Sequence, residues 1–310
     1  MLDKQAGRLA NLLVGNDPDA AVLEFTFMGG RMEALDEFLL AVAGGDMGLA
    51  INDRSCENWV SHQVRPGDKI AMGGAARGCR TYLALSGGID VPLVMGSRST
   101  YTGAKMGGYQ GRMLVPGDLI KRGQGDALDS PRRIPGNWIP SYPEDIVLRA
   151  IPGPQDNYFD HGMDSFFNSV FTVTDKANRM GYRLMGPGVE RKPGMPQSII
   201  SEPSLPGGVQ IPEDGQPIIL LAEQTVGGYA KIATVISPDL DRLAQAVPGN
   251  RVRFKAVTLE RAHEIYREEE RRFKEIQQAD LRIKSLAVMG VRFFNHPVFW
   301  ERLEKYMIQI

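Results

Sequence analysis

Three turns of one kind recur along the chain and limit what it can fold into. A Pro-Gly pair stands at positions 66–67, 116–117 and 248–249, each time followed by Asp or Asn. Proline fixes φ at about −65° and glycine accepts a positive φ, so the pair specifies a type II turn. Each turn leads into a predicted strand: KIAMGG, LIKRG and RVRFKAV. With 35 glycines and 20 prolines among 310 residues, the sequence predicts many short strands in a β-barrel-like body rather than a helical bundle.

Apolar periodicity predicts the other elements. Strands are predicted within residues 21–28, 79–88 and 146–155, and at 218–222, 232–236 and 252–257, whereas residues 33–45 fit either a helix or a strand. A short helix is predicted around residues 160–168. A second helix follows Ser237 as N-cap with Pro238 at its first position. From about Thr258 a charged stretch with apolar residues at helical spacing predicts a long surface helix.

Composition divides the chain into four parts. Residues 121–145 are polar and rich in proline and glycine, which indicates a linker. We therefore predict a β-barrel domain over residues 1–125, a linker over 126–145, a second barrel domain over 146–258 and a helical C-terminal extension over 259–310. The tail is unusually apolar, with Phe293, Phe294, Phe299 and Trp300. Such a tail either packs on its own domain or forms a surface for a partner.

Charge and motifs exclude several classes of protein. The net charge of −1 gives no electrostatic reason to expect nucleic acid or a membrane as a partner. No apolar run approaches about 18 residues, so no membrane span is expected. Two cysteines without a CxxC motif favour a reducing cytoplasm. The four histidines lack the spacing of metal ligands, and no P-loop sequence is present, so we expect neither a metal site nor ATP bound through a P-loop.

Residues 88–112, the first glycine segment, concentrate chemically useful side chains. Glycines alternate there with hydroxyl groups and with the cations Arg98, Lys105 and Arg112. Glycine lets backbone N–H groups approach a ligand, and such groups beside arginines favour a carboxylate, a phosphate or a developing oxyanion. The alternative is a tightly turned loop with ordinary surface arginines.

Two further clusters have a similar character. Residues 223–231, the second glycine segment, read EQTVGGYAK between two predicted strands; Gln224 and Thr225 can hydrogen-bond an amide, and Tyr229 can donate a proton. The alternative is a hairpin turn with a buried tyrosine. In the third cluster, Arg179 and Tyr182 flank Gly181 and can hold an anion, unless the segment is a strand with outward-facing arginines.

Several stretches resemble those of the allophanate hydrolase subunit 2 family. They are LVGNDPDAAVLE, RTYLALSGGIDVPLVMGSRSTY, GGYQGRMLVPGDLI, NRMGYRLMGP and EQTVGGYAKIATVISPDLDRLAQAVPGNRVRF, in this order over about residues 8–262. That family includes the C-type subunit of 5-oxoprolinase and the biotin-dependent carboxyltransferase part of urea carboxylase. The resemblance implies a mainly β chain with a few helices, organised as two cyclophilin-like β-barrel domains plus the C-terminal helical extension.

The resemblance also implies partners and an activity. Such chains work with a subunit-1-type protein, similar to the B-type subunit of 5-oxoprolinase, and in the 5-oxoprolinase version with a LamB/YcsF-type third subunit. The complex then uses ATP to open the lactam of 5-oxoproline to glutamate. In the urea carboxylase version, a separate carrier brings carboxybiotin and the carboxyl group passes to an amide nitrogen. A non-enzymatic alternative is a regulatory antagonist that binds a subunit-1-type kinase inhibitor.

The residue chemistry suggests roles within one cleft. We expect residues 96–100 and Arg112 to face residues 224–229, with Arg98 holding a carboxylate or phosphate, Gln224 holding the amide, and Tyr229 donating a proton or orienting the substrate. Arg98, Gln224 and Tyr229 are thus the catalytic candidates. The candidates for substrate binding are Gly96, Ser97, Ser99, Thr100, Gly107, Gly108, Arg112, Arg179, Tyr182, Thr225, Gly227, Gly228 and Lys231.

Overall fold

The computed structural model describes residues 1–125, 130–223 and 226–283, which form a mainly β protein with four α-helices. The elements of the first half (residues 1–125) are α1 (Lys4–Leu13), β1 (Leu23–Thr26), β2 (Arg31–Glu33), β3 (Phe38–Asp46), β4 (Ala50–Ile51), β5 (Arg54–Ser55), β6 (Ser61–Val64), β7 (Lys69–Ala71) and β8 (Arg77–Leu85).

The elements of the second half (residues 145–256) and the C-terminal helix follow. They are β9 (Asp145–Pro152), α2 (Asp160–Asn168), β10 (Val170–Val173), β11 (Gly181–Met185), β12 (Glu202–Pro203), β13 (Gly208–Ile211), β14 (Ile218–Leu220), β15 (Val226–Gly227), β16 (Ala230–Val235), α3 (Ser237–Leu243), β17 (Arg251–Ala256) and α4 (Leu259–Gln278).

Two four-stranded sheets enclose the core of the first half, in the orders β1-β8-β3-β6 and β2-β7-β4-β5. Side chains alternate along β3 as the pleat requires. Leu40 and Val42 belong to the core between the two sheets, whereas Ala41 and Ala43 belong to the core shared with α1. The small alanines let α1 pack closely on that face. Asp3 caps α1 by accepting a hydrogen bond from the Ala6 N–H at 2.9 Å.

Seven strands of the second half close into a barrel in the order β10-β11-β14-β13-β16-β9-β17. Neighbouring strands are antiparallel except β9 and β17, which run parallel. Aromatic side chains fill the barrel end that α2 covers. Phe166 of α2 stacks on Phe254 of β17 with ring centroids 4.2 Å apart, and Phe171 is also fully buried. Such aromatic packing fixes α2 on the barrel.

The C-terminal helix α4 packs on both halves: its Ala262 and Ile265 share a small core with Ile236 of the second half, and its C-terminal part lies on the first half. Its Phe273 and Ile276 are buried in the same core as α1. Part of the predicted linker is packed beside it: Ile134 is buried and donates its N–H to the Trp59 carbonyl at 3.0 Å, and the Arg133 N–H donates to Leu281 at 2.8 Å. The predicted domain boundaries stay a proposal, and the aromatic tail from residue 284 lies outside the described residues.

A buried amide joins the two halves. The Gln245 side-chain oxygen accepts the N–H groups of Cys79 and Arg80 at 3.0 and 2.9 Å, and its nitrogen donates to Asp3 at 2.8 Å. The Asp3 carboxylate also accepts the hydroxyl of Tyr142 at 2.9 Å. Because buried polar groups need partners, these bonds fix how the second half sits on the first.

The predicted fold class, mainly β with a few helices, is confirmed, and a closed barrel is present in the second half. The three predicted type II turns are confirmed. Gly67, Gly117 and Gly249 have φ of 92°, 94° and 94°, and in each turn the fourth residue donates its N–H to the first at 3.0–3.1 Å. The cyclophilin-like description stays a prediction.

Two local expectations are resolved differently. Residues 33–45, which fitted helix or strand, contribute β3. The strand predicted for LIKRG is wrong, since residues 119–123 form only the isolated bridge between Ile89 and Arg122. Gly87 and Gly88, which precede Ile89, both have positive φ, a conformation that does not belong to a regular strand. Within the described residues, no helix has both the length and the apolar character that crossing a membrane requires.

Candidate functional site

The first glycine segment folds on itself in short hairpin-like turns. Val94 and Ser97 exchange backbone hydrogen bonds of 2.8 and 3.0 Å, and Tyr101 and Met106 do so at 2.8 and 3.1 Å. A Cβ on Gly107 would overlap the carbonyl of Ser99, and one on Gly108 would overlap the Thr100 side chain. Gly107 and Gly108 therefore let the chain pack directly against Ser99 and Thr100, which lie earlier in the same turn.

The two arginines of this segment are already bound to the protein. Arg98 is exposed, and its guanidinium donates to the Val91 carbonyl. Arg112 donates from both terminal nitrogens to the Asp118 carboxylate, each at 2.7 Å, and lies 5.1 Å from the Tyr109 ring centroid. The bidentate bond from Arg112 lowers the pKa of Asp118 to about 2. The predicted substrate role of Arg112 would require this pair to open.

The second glycine segment ends in a buried lysine. Its residues Val226–Gly227 pair as β15 with β12, and the Gly228 carbonyl accepts the Ile199 N–H at 2.8 Å. Lys231 is 6% exposed, and its ammonium donates to Glu202. This hydrogen bond lowers the pKa of Glu202 below its usual range. Tyr229 is 42% exposed, so its hydroxyl can be reached from solvent. The predicted residues Gln224 and Thr225 lie outside the described residues.

Two polar side chains beneath this segment were not among the sequence candidates. Gln210 is 4% exposed, and within the described residues neither its side-chain nitrogen nor the buried hydroxyl of Ser204 has a hydrogen-bond partner. A Cβ on Gly227 would overlap the Gln210 nitrogen, so the glycine backbone runs directly over it. The sequence did contain a signal for Gln210: it is a polar residue between two apolar residues, Val209 and Ile211, that are buried on the same strand. A buried donor without a partner is costly and points to function or strain.

The third cluster belongs to the contact between the halves. Arg179 pairs with Glu24 of the first half and, at 2.5 Å, with Glu223 of the second. Tyr182 is 1% exposed, and its hydroxyl accepts a hydrogen bond from Arg80 at 2.6 Å. Arg179 therefore has two carboxylate partners and holds the start of the second glycine segment in place.

Burial and neighbouring charge set the protonation of this cluster. Burial raises the pKa of Tyr182, so its hydroxyl stays protonated even though Arg80 acts in the opposite direction. Burial would also raise the pKa of Glu24, but the charges of Arg179 and the N-terminal ammonium hold it below its usual value. The carboxylate stays ionised and pairs with Arg179.

The predicted residues are only partly brought together. Gly107 and Gly108 line a cavity of about 580 Å³ beside the first glycine segment, and none of the described residues 226–231 lines it. The expected contact of Arg98 with Gln224 across one cleft stays a prediction, because Gln224 lies outside the described part of the chain. Residues 1–125, 130–223 and 226–283 contain no group of three or more potential ligands that could hold a metal ion.

Comparison with known proteins gives the family. The model of the carboxyltransferase domain, subdomain A and B, matches residues 1–256. The chain is 36% identical to the C-type subunit of 5-oxoprolinase from Escherichia coli over 282 residues, which cover 89% of this chain and 87% of that protein. It is 32% identical to urea amidolyase of Lachancea kluyveri over 85% of this chain and 16% of that protein.

A solved structure agrees with these sequence matches. The urea amidolyase of K. lactis superposes with a TM-score of 0.83 at 27% identity, over 96% of this chain and 19% of that chain. The match therefore includes both the first half and the barrel. The chain belongs to the family of carboxyltransferase domains with subdomains A and B.

Proposed function

We propose that the chain is the C-type subunit of a multi-subunit enzyme that uses ATP to open the lactam of 5-oxoproline to glutamate. The observation that carries the proposal is the 36% identity to the C-type subunit of 5-oxoprolinase over 87% of that protein's length. The match to the corresponding protein from Haemophilus influenzae supports it at 33% identity. In urea amidolyase the matching part is only 16% of a much longer chain. A cytoplasmic location fits the two free cysteines.

The second glycine segment supplies the chemistry that this reaction needs. Opening a lactam places negative charge on the carbonyl oxygen, and N–H groups or a cation aimed at that oxygen stabilise the charge. The N–H groups next to Gly227 and Gly228, the Lys231 ammonium and the exposed Tyr229 hydroxyl lie in one short stretch. We assign Tyr229 to proton donation, Gln224 to binding the amide, and Arg98 to holding the carboxylate of the substrate.

The alternative function is biotin-dependent carboxyl transfer in a urea-carboxylase-type enzyme. The name of the matching family and the TM-score of 0.83 to the K. lactis urea amidolyase favour it. In that case a separate carrier would bring carboxybiotin to the same segment, and the urea nitrogen would replace the lactam. Oriented N–H groups suit both reactions, so the two functions must be separated by their substrates.

We propose that a partner similar to the B-type subunit of 5-oxoprolinase covers the exposed apolar residues of the first glycine segment and the turn after it. Leu93 is 63%, Met95 91% and Met113 77% exposed. Side chains of this kind are often covered in an interface between proteins. A LamB/YcsF-type protein would complete the complex.

Met95→Asp should reduce co-purification of the B-type partner, whereas Ile200→Asp, at a site on the second half that is equally exposed, should not. Equal co-purification with both variants would move the interface elsewhere.

The decisive experiment is to reconstitute the chain with its B-type and LamB/YcsF-type partners and to measure turnover. The proposal expects ATP-dependent formation of glutamate from 5-oxoproline that avidin does not inhibit. Carboxylation of urea that avidin abolishes would establish the alternative instead.

Variants of the active complex then test the residue roles. Tyr229→Phe and Arg98→Ala should each lower kcat/KM by about 100-fold, whereas Tyr266→Phe, a half-exposed tyrosine on α4, should leave it unchanged. Full turnover by the Tyr229→Phe/Arg98→Ala double variant would show that these residues are not catalytic, and would favour the regulatory role over an enzymatic one.

A further inference from the structure

The cavity beside the first glycine segment is bounded by two stretches of backbone. Residues 90–94 form one wall and residues 105–111 the other, with Leu119 and Lys121 between them. The first wall is held by backbone hydrogen bonds: the Asp90 N–H donates to Lys121 at 2.9 Å, and the Gly123 N–H donates to Gly88 at 3.1 Å. This pairing places Asp90 and Lys121 at the same edge of the cavity.

The opposite wall is fixed by glycine packing. Gly108 is buried against Thr100, and a Cβ on Gly111 would overlap the Lys105 carbonyl. Lys105 itself has a left-handed backbone, with φ of 51°. Both walls are thus held by contacts within the chain, so the cavity does not need a ligand in order to form. Such preorganisation lowers the entropic cost of binding a small molecule.

Three charged groups that line this cavity have no partner in residues 1–125, 130–223 and 226–283. Within the described residues, the side chains of Asp90, Lys105 and Lys121 make no ion pair and no hydrogen bond. Their neighbours differ: Arg112 is paired with Asp118, and Arg122 with Asp36. The rest of the lining is mostly apolar, with side chains such as Val91, Val94 and Leu119, and it also includes Tyr109, Gln110 and three glycines. The site therefore offers two positive charges and one negative charge around an apolar space.

We infer that this cavity binds a small acidic amino acid, with its two carboxylates on Lys105 and Lys121 and its ammonium group on Asp90. A ligand with two negative charges and one positive charge complements the three side chains, and its carbon chain can lie on the apolar lining. Glutamate has this composition, whereas 5-oxoproline has one carboxylate and no ammonium. The choice of glutamate rests on the proposed function, in which it is the product.

Titration of the full chain with L-glutamate in a calorimeter tests the inference without partner proteins. We expect saturable binding that Lys105→Gln or Lys121→Gln weakens about tenfold each, since each removes one charge-assisted contact. Lys255→Gln, at an exposed lysine on β17, should bind as the wild type does. Glutarate, which lacks the ammonium group, should bind about tenfold more weakly than glutamate.

Asp90→Asn separates recognition of an amino acid from attraction of any anion. It should weaken binding of glutamate about tenfold without weakening that of glutarate. Absence of glutamate binding, or equal binding by the lysine variants and wild type, would overturn the inference. The proposed function is tested separately, by conversion of 5-oxoproline in the reconstituted complex, and it would stand even if glutamate did not bind here. If glutamate binds but the complex does not act on 5-oxoproline, the glutamate site would stand and the proposed function would be wrong.

Discussion

In the first segment, Gly107 and Gly108 pack against nearby residues of the same segment, whereas Gly227 of the second segment lies over a side chain of the barrel. Gly107 and Gly108 pack on Ser99 and Thr100, a few residues away in the chain. Gly227 packs on Gln210 of a different strand. Two similar glycine-rich sequences therefore have different structural roles: the first segment forms a turn that packs on itself, and the second covers buried polar groups of the barrel.

Charge is arranged differently in the two segments as well. At the first, Lys105 and Lys121 are exposed to solvent at a cavity and have no partner in the part of the chain that the structure describes. At the second, Lys231 is buried and paired with Glu202. An exposed lysine stays charged at little cost and can attract a diffusing anion, whereas a buried lysine needs a permanent partner. The first segment is therefore suited to capturing a ligand and the second to holding charge close to a reaction.

Gly108→Ala should have the largest effect on stability. The new Cβ would overlap Thr100, whose own Cα lies 2.9 Å away, and the backbone has φ of 49°. We expect a loss of about 3 kcal/mol in the free energy of unfolding, from steric overlap and backbone strain together. Gly96→Ala is the matched control, since its φ is 77° but nothing lies within 4 Å; it should cost about 1 kcal/mol. Urea unfolding of both variants measures the difference, and equal losses would contradict the self-packed turn.

Arg179→Ala should loosen the second segment and have the next largest effect. It removes the arginine that two carboxylates share, those of the largely buried Glu24 and of Glu223. Breaking a buried pair costs about 3–5 kcal/mol; because the Arg179 side chain is 35% exposed, we expect about 2 kcal/mol after allowing for screening. Arg251→Ala, which breaks the exposed pair with Asp145, should cost clearly less, because water screens an exposed ion pair. Similar losses for the two variants in urea unfolding would show that Arg179 does not hold the halves together.

The sequence was sufficient for the turns and for much of the strand pattern, because both depend on local rules. Pro116-Gly117 specifies its turn whatever surrounds it, and the apolar run within residues 79–85 identifies a buried strand. Local rules did not show which charges were paired. Arg112 finds its carboxylate six residues away, but Arg179 finds one at position 24, 155 residues distant. Gln210 was overlooked for the same reason, since its lack of a partner depends on how the second segment crosses the barrel.

Gln210→Met separates stability from function in the second segment. Replacing a buried donor without a partner by an apolar side chain of similar size should leave the free energy of unfolding unchanged or raise it by about 1 kcal/mol. If the amide positions the glycine backbone for the reaction, kcat of the reconstituted complex should fall while KM changes little. Val209→Ala, at the neighbouring buried position, is the control, because it should lower stability and leave kcat unchanged. Unchanged kcat in Gln210→Met would make the glutamine a packing residue.

Arg112→Gln should have the smallest effect, and the effect should be present above about pH 4 and disappear in acid. Asp118 has a pKa of about 2 in the folded protein against an ordinary value of 3.8, so the unfolded chain binds more protons between these values. The contribution of this pair to stability is therefore fully present above about pH 4 and is lost as the pH falls toward 2. Without the arginine that loss should be smaller, and the urea midpoints of variant and wild type should converge in acid. Arg98→Gln is the control, because Arg98 belongs to the same segment but has no acidic partner among the described residues. This variant should follow the wild-type pH dependence. If its urea midpoint also converged with that of the wild type in acid, the effect would come from net charge and not from the Arg112–Asp118 pair.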